Sequence, residues 1–90
     1  MNKAELIEAV AIECDITRPA AGRAVDSVLA NIERTLKKGD EVRLLGFGTF
    51  SVVERAARKG RNLKTNETID IPARKIPKFT AGKNLKDSVE

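Results

Sequence analysis

Residues 55–74 read RAARKGRNLKTNETIDIPAR, and the interpretation of the whole chain starts from this stretch. It contains six basic and two acidic residues, a surplus that equals the formal net charge of the protein, +4. The other 70 residues contain eleven basic and eleven acidic residues and are neutral as a set. Because the positive charge is concentrated in one segment, that segment is predicted to bind a polyanion.

The same segment is predicted to form a β-hairpin that projects from a body. Alternation along its first leg places charged or polar side chains on both faces, so neither face suits a core. The second leg contains Thr68, Ile69 and Ile71, which favour strands, and Pro72, which an edge strand tolerates. Residues 64–67 are a plausible turn, since asparagine accepts left-handed backbone. A disordered basic loop is the alternative, and the matched leg lengths favour the hairpin.

The length of 90 residues predicts one domain, with a body of residues 1–54 and 75–90 and an arm of residues 55–74. A body of about 70 residues is marginally stable alone. The single cysteine, Cys14, excludes an internal disulfide, and the absence of histidine argues against structural zinc. A homodimer is the simplest remaining source of stability. Cys14 is expected to be a small buried hydrophobe.

Two amphipathic helices are predicted in the N-terminal part. The first covers about residues 3–14 behind an Asn2 cap, and the second follows a Thr17 cap, with Pro19 in its first turn. Gly39 is expected at the C′ position of the second helix. The apolar stripe of that helix needs a partner, which a second subunit can supply. This stripe comprises Ala21, Val25, Val28, Leu29, Ile32 and Leu36.

Strands are predicted over residues 41–45, 49–54 and 75–79, and a short helix over residues 83–89. The fold class is therefore α+β: two N-terminal helices, a three-stranded antiparallel sheet with a protruding β-hairpin arm, and a short C-terminal helix. The second and third strands are expected to extend into the arm, and residues 80–82 to break the chain. The dimer core is expected to contain Val28, Leu29, Ile32, Leu36, Leu44, Phe47, Phe50 and Phe79.

Enzyme function is poorly supported, because the chain has no histidine, tyrosine or tryptophan. Gly46-Phe47-Gly48 lies between strands and does not match the spacing of a phosphate-binding loop. No catalytic residue, cofactor or metal is expected. No stretch approaches the roughly 18 apolar residues of a membrane span, and no signal peptide is evident, so an intracellular protein is expected.

The shape of the predicted arm favours the DNA minor groove. Strands lie about 4.8 Å apart, whereas the minor groove of B-DNA is about 6 Å wide. A two-stranded ribbon must therefore force the groove open, which bends the duplex. Leu63 is predicted to wedge between base steps; alternatively, it folds onto Ile69 or Ile71. No recognition helix is visible and the minor-groove code is degenerate, so little sequence specificity is expected.

Several segments resemble, in order and spacing, the bacterial histone-like DNA-bending family of HU and integration host factor, with the closer likeness on the HU side. The resemblance covers essentially all 90 residues, and the GFGTF turn followed by RAARKGRN is its most specific part. The segments are MNKAELIEAVA (1–11), RAVDSV (23–28), LKKGDEVRLLGFGTFSV (36–52), ERAARKGRN (54–62) and PKFTAGKNLKDSV (77–89).

The resemblance implies an intertwined dimer, with itself or with a paralogue, whose two arms embrace duplex DNA and bend, wrap and compact it in the bacterial cytoplasm and nucleoid. By position, the DNA-binding residues of the arm are Arg55, Arg58, Lys59, Arg61, Asn62, Leu63 and Lys64. Arg74, Lys75 and Lys78 are implied at the base of the arm, and Lys3, Lys83 and Lys86 on the flank where bent DNA meets the body.

This sequence departs from the family pattern at two positions of the arm. Leu63 stands where the family has an intercalating proline, and Leu63 lacks the fixed φ of proline. Asn66 stands where the family has glycine in the turn.

Two other functions remain as alternatives. The first is a sequence-selective subunit like integration host factor. The second is binding of RNA or anionic membrane, although the arm lacks the aromatic platform used for single strands and the amphipathic helix used at membranes. An architectural protein is expected to prefer bent, nicked or gapped duplexes, because they cost less to deform, whereas RNA binding would be secondary.

Overall fold

The computed structural model describes residues 1–90 and confirms the α+β class, with three helices, a three-stranded antiparallel sheet and a separate two-stranded sheet. The chain divides into two compact units, residues 1–34 and 35–90. None of the helices is long and apolar enough to cross a membrane. The helices are α1 Lys3–Cys14, α2 Arg18–Lys37 and α3 Lys83–Val89, and the strands are β1 Val42–Leu44, β2 Gly48–Arg55, β3 Arg58–Arg61, β4 Thr68–Ile71 and β5 Arg74–Ala81.

The predicted capping residues define the helix ends. The Oδ1 of Asn2 accepts a hydrogen bond from the Glu5 N–H at 2.8 Å, and the Oγ1 of Thr17 accepts one from the Ala20 N–H at 3.2 Å. Gly39 lies beyond α2 with φ of +82° and donates its N–H to the Leu36 carbonyl. Local capping chemistry is therefore sufficient to place these boundaries.

The expectation that Cys14 is buried is wrong. Cys14 is exposed, because it is the last residue of α1 and the chain turns immediately after it. Asp15 adopts the left-handed conformation there, with φ of 53°, and donates its N–H to Ala11 and Ile12 carbonyls.

The three-stranded sheet has the order β1-β2-β5, and all its pairs are antiparallel. Its apolar face includes the cross-strand pair Phe50 and Phe79, whose ring centroids are 4.8 Å apart. The centroid of the Phe47 ring lies 5.7 Å from the centroid of the Phe79 ring. A Cβ added at Gly48 would lie 2.5 Å from the Phe79 ring, so the close approach of this ring requires glycine at that position. The sheet is longer than predicted, since Thr80 and Ala81 continue β5 and only Gly82 interrupts the chain.

A single chain does not complete a hydrophobic core. Its only buried apolar side chains are small: Ala11, Ala21 and Val25. Of the eight residues predicted for the dimer core, Val28, Leu29, Leu44, Phe47 and Phe79 are exposed in the single chain, and Ile32, Leu36 and Phe50 are half-buried. Exposed fractions of 57% for Val28 and 47% for Phe47 are high for large apolar residues of a stable domain.

Candidate nucleic-acid interface

The basic segment forms the predicted hairpin, as a two-stranded sheet of β3 and β4. Its register pairs Arg58 with Ile71, Lys59 with Asp70, Gly60 with Ile69 and Arg61 with Thr68. The extensive contacts of these strands are with each other, and their basic side chains are exposed. The hairpin thus presents its cations to solvent instead of packing them against the three-stranded sheet.

The hairpin is separated from the three-stranded sheet by a two-pair gap, residues 56–57 and 72–73, which differs from the expected continuous strands. The β2–β5 ladder ends at Arg55 opposite Arg74, and pairing resumes at Arg58 opposite Ile71. Two residues lie between these positions on each leg, so the register is kept and no residue is inserted. Pro72 has no N–H to donate, which explains part of the interruption. Arg55 and Arg74 therefore belong to the three-stranded sheet.

The two faces of the hairpin differ in character. Gly60, Ile69 and Ile71 share one face with Arg58, whereas Lys59 and Arg61 share the other with Asp70 and Thr68. A Cβ added at Gly60 would lie 2.8 Å from Cδ1 of Ile71, so Ile71 covers this glycine. This contact lies within the hairpin itself, between β3 and β4.

A short loop closes the tip, and Asn62 organises it. The Asn62 N–H donates to the Glu67 carbonyl at 2.8 Å, and the Asn66 N–H donates to the Asn62 carbonyl at 2.7 Å. The Oδ1 of Asn62 also accepts from the Lys64 N–H at 2.9 Å. Asn66 is left-handed, with φ of 61°, as predicted for asparagine in this turn. The turn begins at Leu63, one residue earlier than expected.

Leu63 projects from this loop without a partner in the chain. It is 94% exposed, so the alternative in which Leu63 folds onto Ile69 or Ile71 is wrong. An apolar side chain held at the tip of a cationic ribbon is available for contact with another molecule.

The cations predicted at the base of the arm do not share one face of the sheet. Lys75 lies opposite Glu54, on the face that carries Phe50 and Phe79. Lys78 lies opposite Ser51, and strand alternation places it on the other face with Arg55 and Arg74. Arg55 and Arg74 face each other directly, and two like charges in this position repel unless an anion lies near them.

Sequence reasoning missed Arg43, which is exposed in β1 opposite Thr49 and therefore shares the face of Arg55 and Lys78. The sequence did indicate that Arg43 is exposed, because in a strand it points away from the face that carries the apolar Val42 and Leu44. Its guanidinium is paired with the Glu41 carboxylate at 2.9 Å.

The remaining predicted cations lie in different units. Lys3 belongs to the first unit, where its Nζ is 2.7 Å from Oδ1 of Asp26. Lys83 and Lys86 belong to α3 in the second unit, and both are exposed. The first unit contains four basic and six acidic residues, a net charge of −2, and the second contains thirteen basic and seven acidic residues, a net charge of +6. The electrostatic attraction for a polyanion is therefore carried by the second unit.

The chain is similar to known proteins over its full length. The family described as "Bacterial DNA-binding protein" matches residues 1–90. The DNA-binding protein HU of Staphylococcus aureus is 58% identical over 90 residues, covering all of both chains. The HU-beta protein of Salmonella typhimurium is 56% identical over 89 residues, covering 99% of each.

Solved structures resemble the chain as well. An Anabaena HU–DNA cocrystal structure aligns with a TM-score of 0.87 and 45% identity, covering 99% of this chain and 97% of that one. HU from Thermotoga maritima aligns with a TM-score of 0.71 and 30% identity, covering all of both chains.

Proposed function

Because the chain belongs to the bacterial DNA-binding protein family, which includes HU, we propose that it is an architectural protein that binds duplex DNA through the minor groove and bends, wraps and compacts it with little sequence specificity. We propose further that it has no catalytic role and that it acts on the nucleoid in the bacterial cytoplasm.

The observation that carries this proposal is the exposed cationic hairpin of β3 and β4. Its strands pack extensively only on each other, and Arg58, Lys59 and Arg61 project from both of its faces. A ribbon of this kind suits the negative potential of the minor groove, and its width requires that the groove open. The cocrystal of the Anabaena relative with DNA supports the same ligand.

The DNA-binding set that we propose combines the arm, the base of the arm and the flank. It comprises Lys3, Arg55, Arg58, Lys59, Arg61, Asn62, Leu63, Lys64, Arg74, Lys75, Lys78, Lys83 and Lys86. Leu63 serves as the wedge, in place of the family proline, since it is apolar and unpacked at the tip.

The working form that we propose is a homodimer, or a heterodimer with a paralogue. The support is the incomplete core, in which Phe47, Phe79 and Val28 remain exposed in the single chain. A second subunit that covers these side chains would remove part of the exposed apolar surface from water and stabilise the folded state.

Salt-dependent binding to a linear duplex and to a nicked duplex of the same sequence tests the proposal. Affinity should fall steeply with salt because counterions are released, and the nicked duplex should bind more tightly because it costs less to bend. An Arg58→Ala/Arg61→Ala variant should lose affinity and show a shallower salt dependence. Replacing the exposed Arg23 of the first unit by alanine is the matched control and should have little effect.

Two results would contradict the proposal. Equal affinity for linear and nicked duplexes would argue against bending, and an equal loss in the Arg23 control would argue that the hairpin is not the binding element. Enrichment of a single motif from random duplexes would indicate the sequence-selective alternative, and preferential competition by RNA or anionic vesicles would indicate a different ligand.

A further inference from the structure

The side chain of Asn62 presents a hydrogen-bond donor at the tip of the arm. Its Oδ1 accepts from the Lys64 N–H at 2.9 Å, and only the oxygen end of a carboxamide can accept from an N–H. The bond therefore fixes which end of the carboxamide faces the loop. The Nδ2 group at the other end donates no hydrogen bond within the chain, and Asn62 is exposed.

Hydrogen bonds within the loop orient this donor relative to Leu63, so the orientation is kept even when the arm moves as a unit. The Asn62 N–H and carbonyl are bonded to Glu67 and Asn66, at 2.8 and 2.7 Å. With Oδ1 also engaged, three polar groups of Asn62 are committed to the loop and only Nδ2 is left for a ligand. A donor that is oriented in advance loses little conformational freedom on binding.

The minor groove offers this donor two different partners. Both orientations of an A·T pair present only acceptors there, N3 of adenine and O2 of thymine, whereas a G·C pair adds the 2-amino group of guanine, which is itself a donor. A carboxamide NH₂ can bond to the first kind of pair and meets a competing donor at the second.

We propose that Asn62 is a specificity-determining residue, which favours A·T over G·C pairs at the step beside Leu63. The inference rests on the proposed function, since it requires the tip of the arm to lie in the minor groove. Arg58 and Arg61 also carry donors, but their long charged side chains can bind phosphates of any sequence, so they set affinity. Asn62 is neutral, so its donor gains less from a phosphate than a charged donor does, and a base edge is the partner at which it can discriminate between sequences.

Three duplexes with a nick at the same central position test this assignment. The pairs that flank the nick are A·T, G·C or inosine·cytosine, and the last removes the 2-amino group while keeping the major-groove pattern of G·C. The A·T and inosine duplexes should bind about three- to tenfold more tightly than the G·C duplex, the effect of one hydrogen bond kept or lost. Fluorescence anisotropy at one fixed salt concentration measures the three dissociation constants.

Replacing Asn62 by aspartate removes the donor but also adds a negative charge. A second variant with the same added charge separates the two effects. Asn62→Asp keeps an oxygen for the Lys64 N–H but has no donor, so the A·T preference should vanish or invert, because a carboxylate accepts from the guanine amino group. Asn66→Asp adds the same charge at the same tip, in a left-handed position that aspartate tolerates. It should weaken binding to all three duplexes equally and keep the preference.

The outcomes distinguish this inference from the proposed function. Equal binding of the three duplexes by the unmodified protein overturns the inference, as does an unchanged preference in Asn62→Asp or an equal loss of preference in Asn66→Asp. If nicked duplexes still bind more tightly than linear ones in those cases, the architectural function stands. Failure to bind any duplex overturns both.

Discussion

The β2–β5 ladder and the hairpin of β3 and β4 form two halves of one long antiparallel ribbon. The two halves follow the same register but are stabilised differently. The β2–β5 half has eight residue pairs and packs Phe50 and Phe79 on one face, whereas the β3–β4 half has four pairs and one notable apolar contact, Ile71 over Gly60. A two-stranded ribbon without a core is marginally stable in water. The packing that stabilises the protein therefore lies in the β2–β5 ladder, and the hairpin of β3 and β4 is left free for the DNA binding that we propose.

The largest loss of stability should come from a substitution in the β2–β5 half. Phe79→Ala removes a ring that contacts Phe47 and Phe50 and that the proposed dimer buries further. The free energy of unfolding should fall by about 3–5 kcal/mol. Thermal unfolding at several protein concentrations measures it, and the midpoint should depend on concentration because folding and association are coupled.

The matched control is Ile69→Ala in the unpacked half. Ile69 is partly exposed and lies on the hairpin, so its removal should leave the unfolding midpoint nearly unchanged. Equal losses for both variants would show that the hairpin is part of the cooperative core and contributes as much to stability as the β2–β5 ladder does.

A pair of glycine substitutions sharpens the same contrast. Gly48→Ala places a Cβ 2.5 Å from the Phe79 ring and 2.7 Å from the Thr80 carbonyl oxygen, and should cost about 1–3 kcal/mol of global stability. Gly60→Ala places a Cβ 2.8 Å from the flexible end of Ile71, which can move away.

For Gly60→Ala we therefore expect an unchanged global midpoint and faster amide exchange confined to residues 58–71. Backbone relaxation of the unmodified protein without DNA should already give low order parameters over residues 58–68. Rigid values there would contradict the view that the hairpin lacks stabilisation of its own.

The substitution Leu63→Ala tests the role of the loop at the tip of the hairpin. Because Leu63 is 94% exposed and buries almost no surface in the chain, stability should not change. The variant should reduce the bend angle of a bound duplex more than it reduces affinity, since a wedge acts by unstacking a base step. Fluorescence transfer between the duplex ends measures the angle, and an unaltered angle would remove Leu63 from the bending mechanism.

The smallest effect concerns a cation outside the hairpin. The Nζ of Lys3 lies 2.7 Å from Oδ1 of Asp26, with both side chains more than half exposed, and this carboxylate competes with a phosphate for the Lys3 charge. Asp26→Asn should release Lys3 at a cost of less than about 1 kcal/mol in stability. Affinity for long duplexes should rise slightly, and the rise should disappear in Asp26→Asn/Lys3→Ala. A persistent rise would exclude Lys3 as its source.

Local chemistry made much of the fold predictable. Asn2, Thr17 and Gly39 act at the helix ends as their residue types require, and Asn66 adopts the left-handed turn. Strand alternation would also have placed Arg43 with Lys78 and separated Lys75 from both. Pro72 indicated an edge strand. The gap in pairing at Pro72 was not predictable, because it depends on which residues lie opposite, and the sequence pattern does not give the register.

The organisation of the tip was less predictable from the sequence. The role of Asn62 depends on a side-chain hydrogen bond to Lys64, and asparagine in a basic loop is equally compatible with free contact to a ligand. The exposure of Cys14 was not predictable from the helical pattern, because it depends on where the chain turns after α1, at Asp15.

The two-pair gap at residues 56–57 and 72–73 has a mechanical consequence. If duplex DNA binds the hairpin as proposed, a force on the duplex reaches the protein through residues 56–57 and 72–73, which have no ladder pairs. We expect these residues to deform before the packed rings of Phe50 and Phe79 separate. The gap would then act as a hinge that lets the arm follow the DNA while the folded core stays closed.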